Sequence, residues 1–376
     1  NFGKSRFISL GGWINAIIPI LIVPYYSVIG GWVIKYLIEY FSGHSKALAG
    51  DTYFTSFISN GISTEICFLI FTLFTLGIIY AGVRNGIERV SKFMMPILIV
   101  LSLIIAVYSV TRPGAIEGVK YFLVPNFEHF SWMTVVSAMG QMFYSLSIAM
   151  GILITFGSYM KKDTSIEKST ENVEIFDTAI AIMAGLMIIP AVFAFSGGNA
   201  ETLKSGPALM FITIPKVFAN MGFGTAIGVV FFLLVLFAAV TSSIALTESA
   251  VSTFEDELHW SRRKSTVFMG VIMILLGTLS CLGYGPLADF KILGMQFLDF
   301  FDFLTNSVMM PIAAIATCLL VSKVVGTKSI EEEVMHGESA FRRKKIFNVM
   351  IRYLCPIFAT IILISSVANA FGWISM

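Results

Sequence analysis

Residues 141–151 read QMFYSLSIAMG and place a tyrosine and two serines in the middle of a long apolar segment. A second segment of this kind, residues 238–246, reads AAVTSSIAL and carries three consecutive hydroxyl side chains. Both lie in stretches apolar enough to cross a bilayer, which takes about 20 residues. The fold therefore depends on how polar groups are accommodated at the depth of lipid.

The composition indicates that lipid surrounds most of this chain. Of its 376 residues, 56% are hydrophobic and 13% are charged, against about 25% charged residues in an ordinary soluble domain. A mean hydropathy of +0.84 excludes a disordered chain, a fibrous repeat and almost any water-soluble enzyme. The net charge of +2 gives no reason to expect a nucleic-acid partner. The four cysteines are isolated and predict neither a disulfide framework nor a zinc site.

The predicted fold class is an all-α integral membrane protein with about nine transmembrane helices. Each predicted span is an apolar run of sufficient length. The nine runs are residues 12–40, 64–82, 92–111, 132–160, 175–196, 222–254, 265–283, 292–322 and 348–373.

Basic residues gather in every second connection, for example at 161–162, 262–264 and 342–345. By the positive-inside rule, this pattern predicts that the N-terminus of the chain is cytoplasmic and that its C-terminus is outside. The outer connection 197–221 is long and moderately apolar, with glycines and two prolines. We expect it to form an extracellular cap over the outer mouth and not a further span.

Polar groups inside the apolar runs allow two interpretations. Hydroxyls can bond back to the carbonyl four residues earlier and so have only a structural role. Alternatively, they can bind a cation together with carbonyls freed by an interrupted helix, and Gly140, Ala149 and Gly151 make an interruption plausible in the fourth run. Asp177 and Glu248 also lie in apolar runs, where an ionisable group costs a few kcal/mol and usually faces protein or water. Together these signals favour a transporter, since neither an acid–base constellation nor a repeated channel filter is present.

Five short sequence motifs resemble those of the bacterial neurotransmitter:sodium symporters, which have the LeuT-type fold. They are residues 25–32 (YYSVIGGW), 86–92 (GIERVSK), 141–151, 241–245 (TSSIA) and 254–257 (FEDE). The resemblance extends from about residue 10 to the C-terminus. It implies an inverted-repeat helical bundle, in which residues 1–376 form one transporter domain in the bacterial inner membrane. It also implies a symporter that couples Na⁺ to amino-acid uptake, and not an enzyme.

The resemblance assigns roles to individual positions. For the substrate, a small neutral amino acid that is hydrophobic or aromatic, it implies contacts from Ile22, Tyr26, Tyr144, Ser147, Met150 and Leu246. For two sodium ions it implies Ser145 and Asp177 at the first site, and Ala238, Thr241 and Ser242 at the second. The gates are assigned to Gln141, Asp302 and Asp256, with Asp302 at the outer gate and Asp256 at the inner one. Many members carry an asparagine at the position of Asp177, so the carboxylate is expected to make chloride unnecessary.

The chain also departs from the family pattern. It corresponds to family helices three to eleven, whereas members carry two earlier helices, one of which contributes to both sodium sites and to both gates. If the chain begins natively at Asn1, we expect it not to transport alone.

Other functions remain open at this point. One alternative is a proton-coupled or exchanging amino-acid permease of the same fold, which Glu248 favours, although Glu248 can equally be a structural acid. A non-transporting fragment, a channel or a membrane enzyme is a more distant alternative. Besides substrate, sodium and lipid, a homodimer partner is left open.

Overall fold

The computed structural model describes residues 6–199, 203, 206–338 and 340–373, and within these ranges it is helical and contains no β-strand. The helices, numbered in chain order, are α1 Arg6–Phe41, α2 Ser45–Leu48, α3 Tyr53–Ser59, α4 Gly61–Tyr80, α5 Arg89–Val110, α6 Ala115–Leu123, α7 Trp132–Ser145, α8 Ile152–Ser158, α9 Ile166–Ser196, α10 Gly206–Ala208, α11 Ile214–Ala219, α12 Gly224–Leu258, α13 Arg262–Leu282, α14 Phe297–Asp302, α15 Met310–Leu319, α16 Thr327–His336, α17 Lys344–Val349 and α18 Cys355–Ala370. Wider π-helical turns join or precede several of them, at Val83–Glu88, Leu209–Thr213, Phe303–Met309, Leu320–Val325 and Met350–Leu354.

Eight helical runs among the described residues are long and apolar enough to cross a membrane. They are Leu10–Phe41, Gly61–Tyr80, Val83–Val110, Ile166–Ser196, Gly224–Leu258, Arg262–Leu282, Phe297–Val325 and Lys344–Ala370. Each coincides with one of the nine predicted spans. The remaining predicted span, 132–160, is interrupted: α7 ends at Ser145 and α8 begins at Ile152, so neither half is long enough alone.

Helix α1 is packed on several sides, against α4, α12, α13 and α15. Its aromatic residues Trp32, Tyr36 and Tyr40 follow one another at a spacing of four, so they lie on one face of the helix and are all buried. The Tyr40 ring stacks on Phe232 of α12, with 5.4 Å between the ring centroids. This aromatic layer fixes the position of α1 against α12, the helix that carries the Thr241–Ser242 hydroxyls.

The predicted cap region contains a short apolar helical run, Gly206–Ala219, which is not among the eight long helices. The Phe211 ring stacks on Phe54 with 5.2 Å between centroids, and the Phe211 carbonyl accepts a 2.8 Å bond from the Tyr36 hydroxyl. Lys216 pairs with Asp51, and this hydrogen bond lowers the pKa of the Asp51 carboxyl below its ordinary value. The run is therefore held against the C-terminal end of α1; its role as an outer cap stays a prediction.

Helices α1 and α4 approach closely at two glycines of the motif YYSVIGGW. A Cβ added to Gly31 would stand 2.6 Å from the backbone nitrogen of Phe68, and one added to Gly30 would stand 2.5 Å from the Phe71 ring. Small residues of this kind let neighbouring membrane helices pack backbone to backbone. Because the atom opposite Gly31 belongs to the backbone, it cannot move aside as a flexible side chain could.

We expect Gly31→Ala to lower the free energy of unfolding by about 1–3 kcal/mol, the usual cost of an overpacked interior. The measurement is the thermal unfolding midpoint of the detergent-solubilised protein. Gly77→Ala in α4 is the matched control, since a Cβ there meets nothing within 4 Å. Alanine favours a helix over glycine by about 1 kcal/mol, so the control should lose no stability. An unchanged midpoint for Gly31→Ala would contradict the close approach of α1 and α4.

Candidate functional site

The site is organised by the break between α7 and α8. Ser147, Ala149 and Gly151 have positive φ angles of 54°, 61° and 73°, a conformation that residues with a Cβ adopt rarely. At Gly151 a side chain is also excluded by space, because a Cβ would lie 2.8 Å from the Ser249 hydroxyl oxygen. The structure thus has the interruption that the small residues of this run indicate.

A cavity of about 460 Å³ lies beside the break. Its walls come from α1, α5, α7, α12 and the interrupted segment. The lining residues are Tyr26, Met95, Gln141, Tyr144, Ser145, Ser147, Met150, Ile152, Thr241, Ser242, Ala245 and Leu246. The structure therefore brings together most of the residues that the sequence assigns to substrate, sodium and gate roles.

Three lining residues, Met95, Ile152 and Ala245, are absent from the sequence-based assignment. Each is an apolar residue in an apolar run, so no change of residue type marks it. Ile22, in contrast, is assigned to the substrate but does not line the cavity. It lies one turn before Tyr26, and its side chain is completely buried in the core of the bundle.

The first candidate ion site joins α7 and α9. The Ser145 hydroxyl donates a hydrogen bond to Oδ1 of Asp177 over 2.6 Å, although the two residues are far apart in sequence. Ser145 is the last residue of α7, directly before the break, and Asp177 lies in the first half of α9. A hydroxyl and a carboxylate at this distance offer two oxygen ligands to one hard cation.

The second candidate ion site lies on α12. The Thr241 hydroxyl donates to the carbonyls of Phe237 and Ala238, both over 3.0 Å, which is the back-bonding expected of a hydroxyl in a helix. Thr241 and Ser242 nevertheless line the cavity, and the Tyr26 hydroxyl interacts with the Ser242 side chain.

The third hydroxyl of this run has a different environment. Ser243 is completely buried and accepts a 3.3 Å bond from Thr75 of α4. The run therefore divides into two hydroxyls at the cavity and one between helices. Across the described residues no group of three His, Cys, Asp or Glu side chains could hold a metal ion. The oxygens around this cavity include hydroxyls, the Phe237 and Ala238 carbonyls and the Asp177 carboxylate.

The two predicted gate acids have different surroundings. Asp302 ends α14, and its Oδ1 accepts bonds from the Tyr25 hydroxyl at 3.1 Å and the Asn306 amide at 2.6 Å. Tyr25 connects this acid to the wall of the cavity, because the next residue is Tyr26. Asp256 is exposed near the C-terminal end of α12, and within the described ranges neither acid has a basic partner.

Glu248 is completely buried and fully bonded. Its two carboxylate oxygens accept bonds from the Arg262 guanidinium at 2.5 and 3.0 Å, and one also accepts a 2.7 Å bond from the Tyr159 hydroxyl. Arg262 further approaches Glu255 at 3.5 Å. A carboxylate surrounded by these donors joins α12 to α13 and α8, and this arrangement favours the structural interpretation of Glu248.

Comparison with known proteins gives concordant matches. The Sodium:neurotransmitter symporter family matches residues 39–372. A Bacillus subtilis protein named Uncharacterized sodium-dependent transporter YhdH is 33% identical over 362 residues, which are 95% of this chain and 79% of that protein. A Haemophilus influenzae protein named Uncharacterized sodium-dependent transporter is 30% identical over 373 residues, 97% of this chain and 80% of its own length. The crystal structure of MhsT in complex with L-phenylalanine has a TM-score of 0.83 and 32% identity, and covers 96% of this chain and 81% of that one.

We expect Glu248→Gln to lower the free energy of unfolding by about 3 kcal/mol, because removing one member of a buried pair leaves the other charge uncompensated. This value is at the low end of the usual range, since Arg262 is 22% exposed and keeps Glu255 as a neighbour. Glu257→Gln, at an exposed position on the same helix, is the matched control and should have no effect. Thermal unfolding of the two variants tests this, and equal midpoints would show that the ion pair does not hold α12 and α13 together.

Proposed function

The chain belongs to the sodium:neurotransmitter symporter family, whose members are transporters and not enzymes, and we propose that it carries a small neutral amino acid inward together with Na⁺. The LeuT-type fold and the use of sodium follow from the family. The observation that most strongly supports the proposal is the 2.6 Å contact between Ser145 and Asp177 at the edge of the cavity. It joins two oxygen ligands that only folding brings near each other.

In this proposal two sodium ions bind on either side of the break. Ser145 and Asp177 supply a hydroxyl and a carboxylate to the first. The Ala238 carbonyl and the hydroxyls of Thr241 and Ser242 supply neutral oxygens to the second. An inside-negative potential contributes about 2.3 kcal/mol per 100 mV for each charge that enters, so two ions would drive substantial accumulation of substrate.

The proposed substrate is an amino acid with a hydrophobic or aromatic side chain. The Tyr26 hydroxyl, which lies beside Ser242 at the cavity wall, would donate to the substrate carboxylate, while the side chains of Tyr144, Met150 and Leu246 supply apolar surface. The relative MhsT was crystallised with L-phenylalanine, which is consistent with an apolar ligand in a cavity of this kind. Closure of the outer side is assigned to Tyr144 with Gln141 and Asp302, and closure of the inner side to Asp256.

The proposed orientation follows from the charges. The N-terminus of this chain is cytoplasmic, its C-terminus is outside, and the run Gly206–Ala219 covers the outer mouth. Glu248 is the one sequence feature that favours coupling to protons or to exchange. Its bonds to Arg262 and Tyr159 remove that reason, so sodium coupling is the function that we retain.

We expect binding of a labelled hydrophobic amino acid by the native protein to require Na⁺ and to be lost when choline replaces it. Combining Thr241→Ala with Ser242→Ala should raise the Na⁺ concentration for half-maximal binding about tenfold or more, since a bond to a charged group contributes about 1.5–3 kcal/mol and about 1.4 kcal/mol is a factor of ten.

Ser243→Ala is the matched control for this experiment. The Ser243 hydroxyl lies on the same helix but faces Thr75, so the sodium dependence of amino-acid binding by this variant should equal that of the wild type. Full amino-acid binding in choline would rule out sodium coupling. An unchanged Na⁺ requirement in the double variant would rule out the second site as assigned.

The Asp177 carboxylate also predicts independence from chloride. A fixed negative charge at the first sodium offsets part of the ion's charge, so a separate anion is not needed to balance it. We expect uptake into proteoliposomes to be unchanged when gluconate replaces chloride, and Asp177→Asn to lose most uptake in gluconate. Loss of wild-type uptake in gluconate would refute this role for Asp177.

A further inference from the structure

A second cavity, of about 570 Å³, lies away from the proposed transport site, between α1, α4, α5 and α12. Its walls are almost entirely apolar. The lining residues are Ile34, Ile70, Phe71, Phe74, Arg89, Val90, Phe93, Met94, Leu236, Phe237 and Val240. Phe71, Met94 and Val240 form a buried floor, whereas Ile70, Phe74 and Phe93 are about half to two-thirds exposed and mark where the cavity opens toward lipid.

Arg89 is the one charged residue in this lining. In the part of the chain that the structure describes, its guanidinium has neither an acidic partner nor a hydrogen bond, because the adjacent Glu88 pairs with Lys92 at 2.6 Å. Arg89 belongs to the motif GIERVSK, which contributes no lining residue to the cavity at the break. Arg89 is exposed at the rim of the apolar cavity, so its charge is accessible to an anionic ligand.

The depth of Arg89 is inferred from its distance to the other end of the helical run Val83–Val110. Arg89 is the first of the 22 residues of α5, a length of about 33 Å at 1.5 Å per residue. The hydrocarbon core is about 30 Å thick, so with Val110 at one boundary Arg89 reaches the headgroup level at the other, and the turn Val83–Glu88 of the same run lies beyond it. The apolar lining residues Val90, Phe93 and Met94 follow within about two turns and lie deeper.

We propose that this cavity binds an anionic phospholipid, with the phosphate on the Arg89 guanidinium and one acyl chain along the apolar walls. The charge complements Arg89, and basic pockets between membrane helices on the cytoplasmic side are suited to anionic headgroups. An acyl chain fits walls that offer almost no polar surface, and it can enter from the bilayer between Ile70 and Phe93.

The bound lipid would contact α12 on the face opposite the second proposed sodium site. Phe237 and Val240 line the lipid cavity, while the Phe237 carbonyl accepts the 3.0 Å bond from the Thr241 hydroxyl. One turn of α12 thus faces lipid on one side and carries sodium ligands on the other. A lipid that fills the cavity supports this turn, so it should tighten Na⁺ binding. This consequence rests on the proposed function, whereas the lipid site itself does not.

Native mass spectrometry of the purified native protein, titrated with dioleoyl phosphatidylglycerol or dioleoyl phosphatidylcholine, tests the site. We expect Arg89→Gln to weaken phosphatidylglycerol binding about tenfold, as expected for loss of one bond between charged groups, and to leave phosphatidylcholine binding unchanged. Ile70→Trp, which fills the opening, should weaken binding of both lipids. The matched controls are Arg84→Gln and Ile66→Trp, which do not line the cavity and should behave as wild type.

Equal affinity of wild type and Arg89→Gln for phosphatidylglycerol, or an effect equalled by Arg84→Gln, would overturn the proposed site. Unchanged binding in Ile70→Trp would show that the acyl chain lies elsewhere and would overturn it as well. Thermal midpoints of all four variants serve to confirm that they are folded.

Sodium titrations in nanodiscs of the same two lipids test the coupling to α12. Half-saturation should occur at a lower Na⁺ concentration in phosphatidylglycerol, and Arg89→Gln should abolish the difference. Half-saturation at the same Na⁺ concentration in the two lipids would refute only the coupling between bound lipid and sodium binding. Absence of any sodium binding in both lipids refutes the proposed transport function, and the lipid titrations still decide the lipid site.

Discussion

Backbone amides and carbonyls inside a bilayer must find partners within the protein, because lipid offers none. This constraint determines where the helix interruption at 146–151 can exist. The Leu146 amide donates to the Met142 carbonyl and the Ile148 amide to the Phe143 carbonyl, both over 3.0 Å, so the chain leaves the helix without exposing these amides to lipid. Helices α1 and α12 flank the interruption, since a Cβ on Gly151 would lie 2.8 Å from the Ser249 hydroxyl oxygen and 3.1 Å from the Asn15 carbonyl oxygen, and the cavity lies beside it.

The same constraint explains why similar polar residues have different roles. Asp177 and Glu248 both lie in apolar runs, and they differ in how many donors surround them. Glu248 accepts three bonds from Arg262 and Tyr159, which leaves little capacity for an ion. Asp177 accepts one bond from Ser145 and lies close to the cavity. The hydroxyls divide likewise, since Ser243 is bonded between helices whereas Ser242 faces the cavity.

The sequence alone was sufficient for the fold class and for much of the site. Eight of the nine predicted spans are continuous helices, and the ninth is interrupted beside Gly151, one of the small residues that indicated a break. The resemblance assigned Ser145 and Asp177 to one ion, and folding places them in contact. The position of Ile22 outside the cavity lining and the unmarked lining positions Met95 and Ala245 have one cause. Helices that are apolar all round carry almost no periodic signal, so only packing decides which face meets a cavity. The partner of Glu248 was also beyond the sequence, because Arg262 lies across a helix connection.

In the proposed function, oxygens of α7, α9 and α12 around the interruption hold two sodium ions. Equilibrium binding of ²²Na⁺ to the native protein at saturating substrate measures this most directly, as the number of ions bound per protein. We expect two ions for the wild type and the loss of one in Asp177→Ala, with the second retained through Ala238, Thr241 and Ser242. An unchanged number of bound ions in Asp177→Ala, or no specific sodium binding by the wild type, would contradict it.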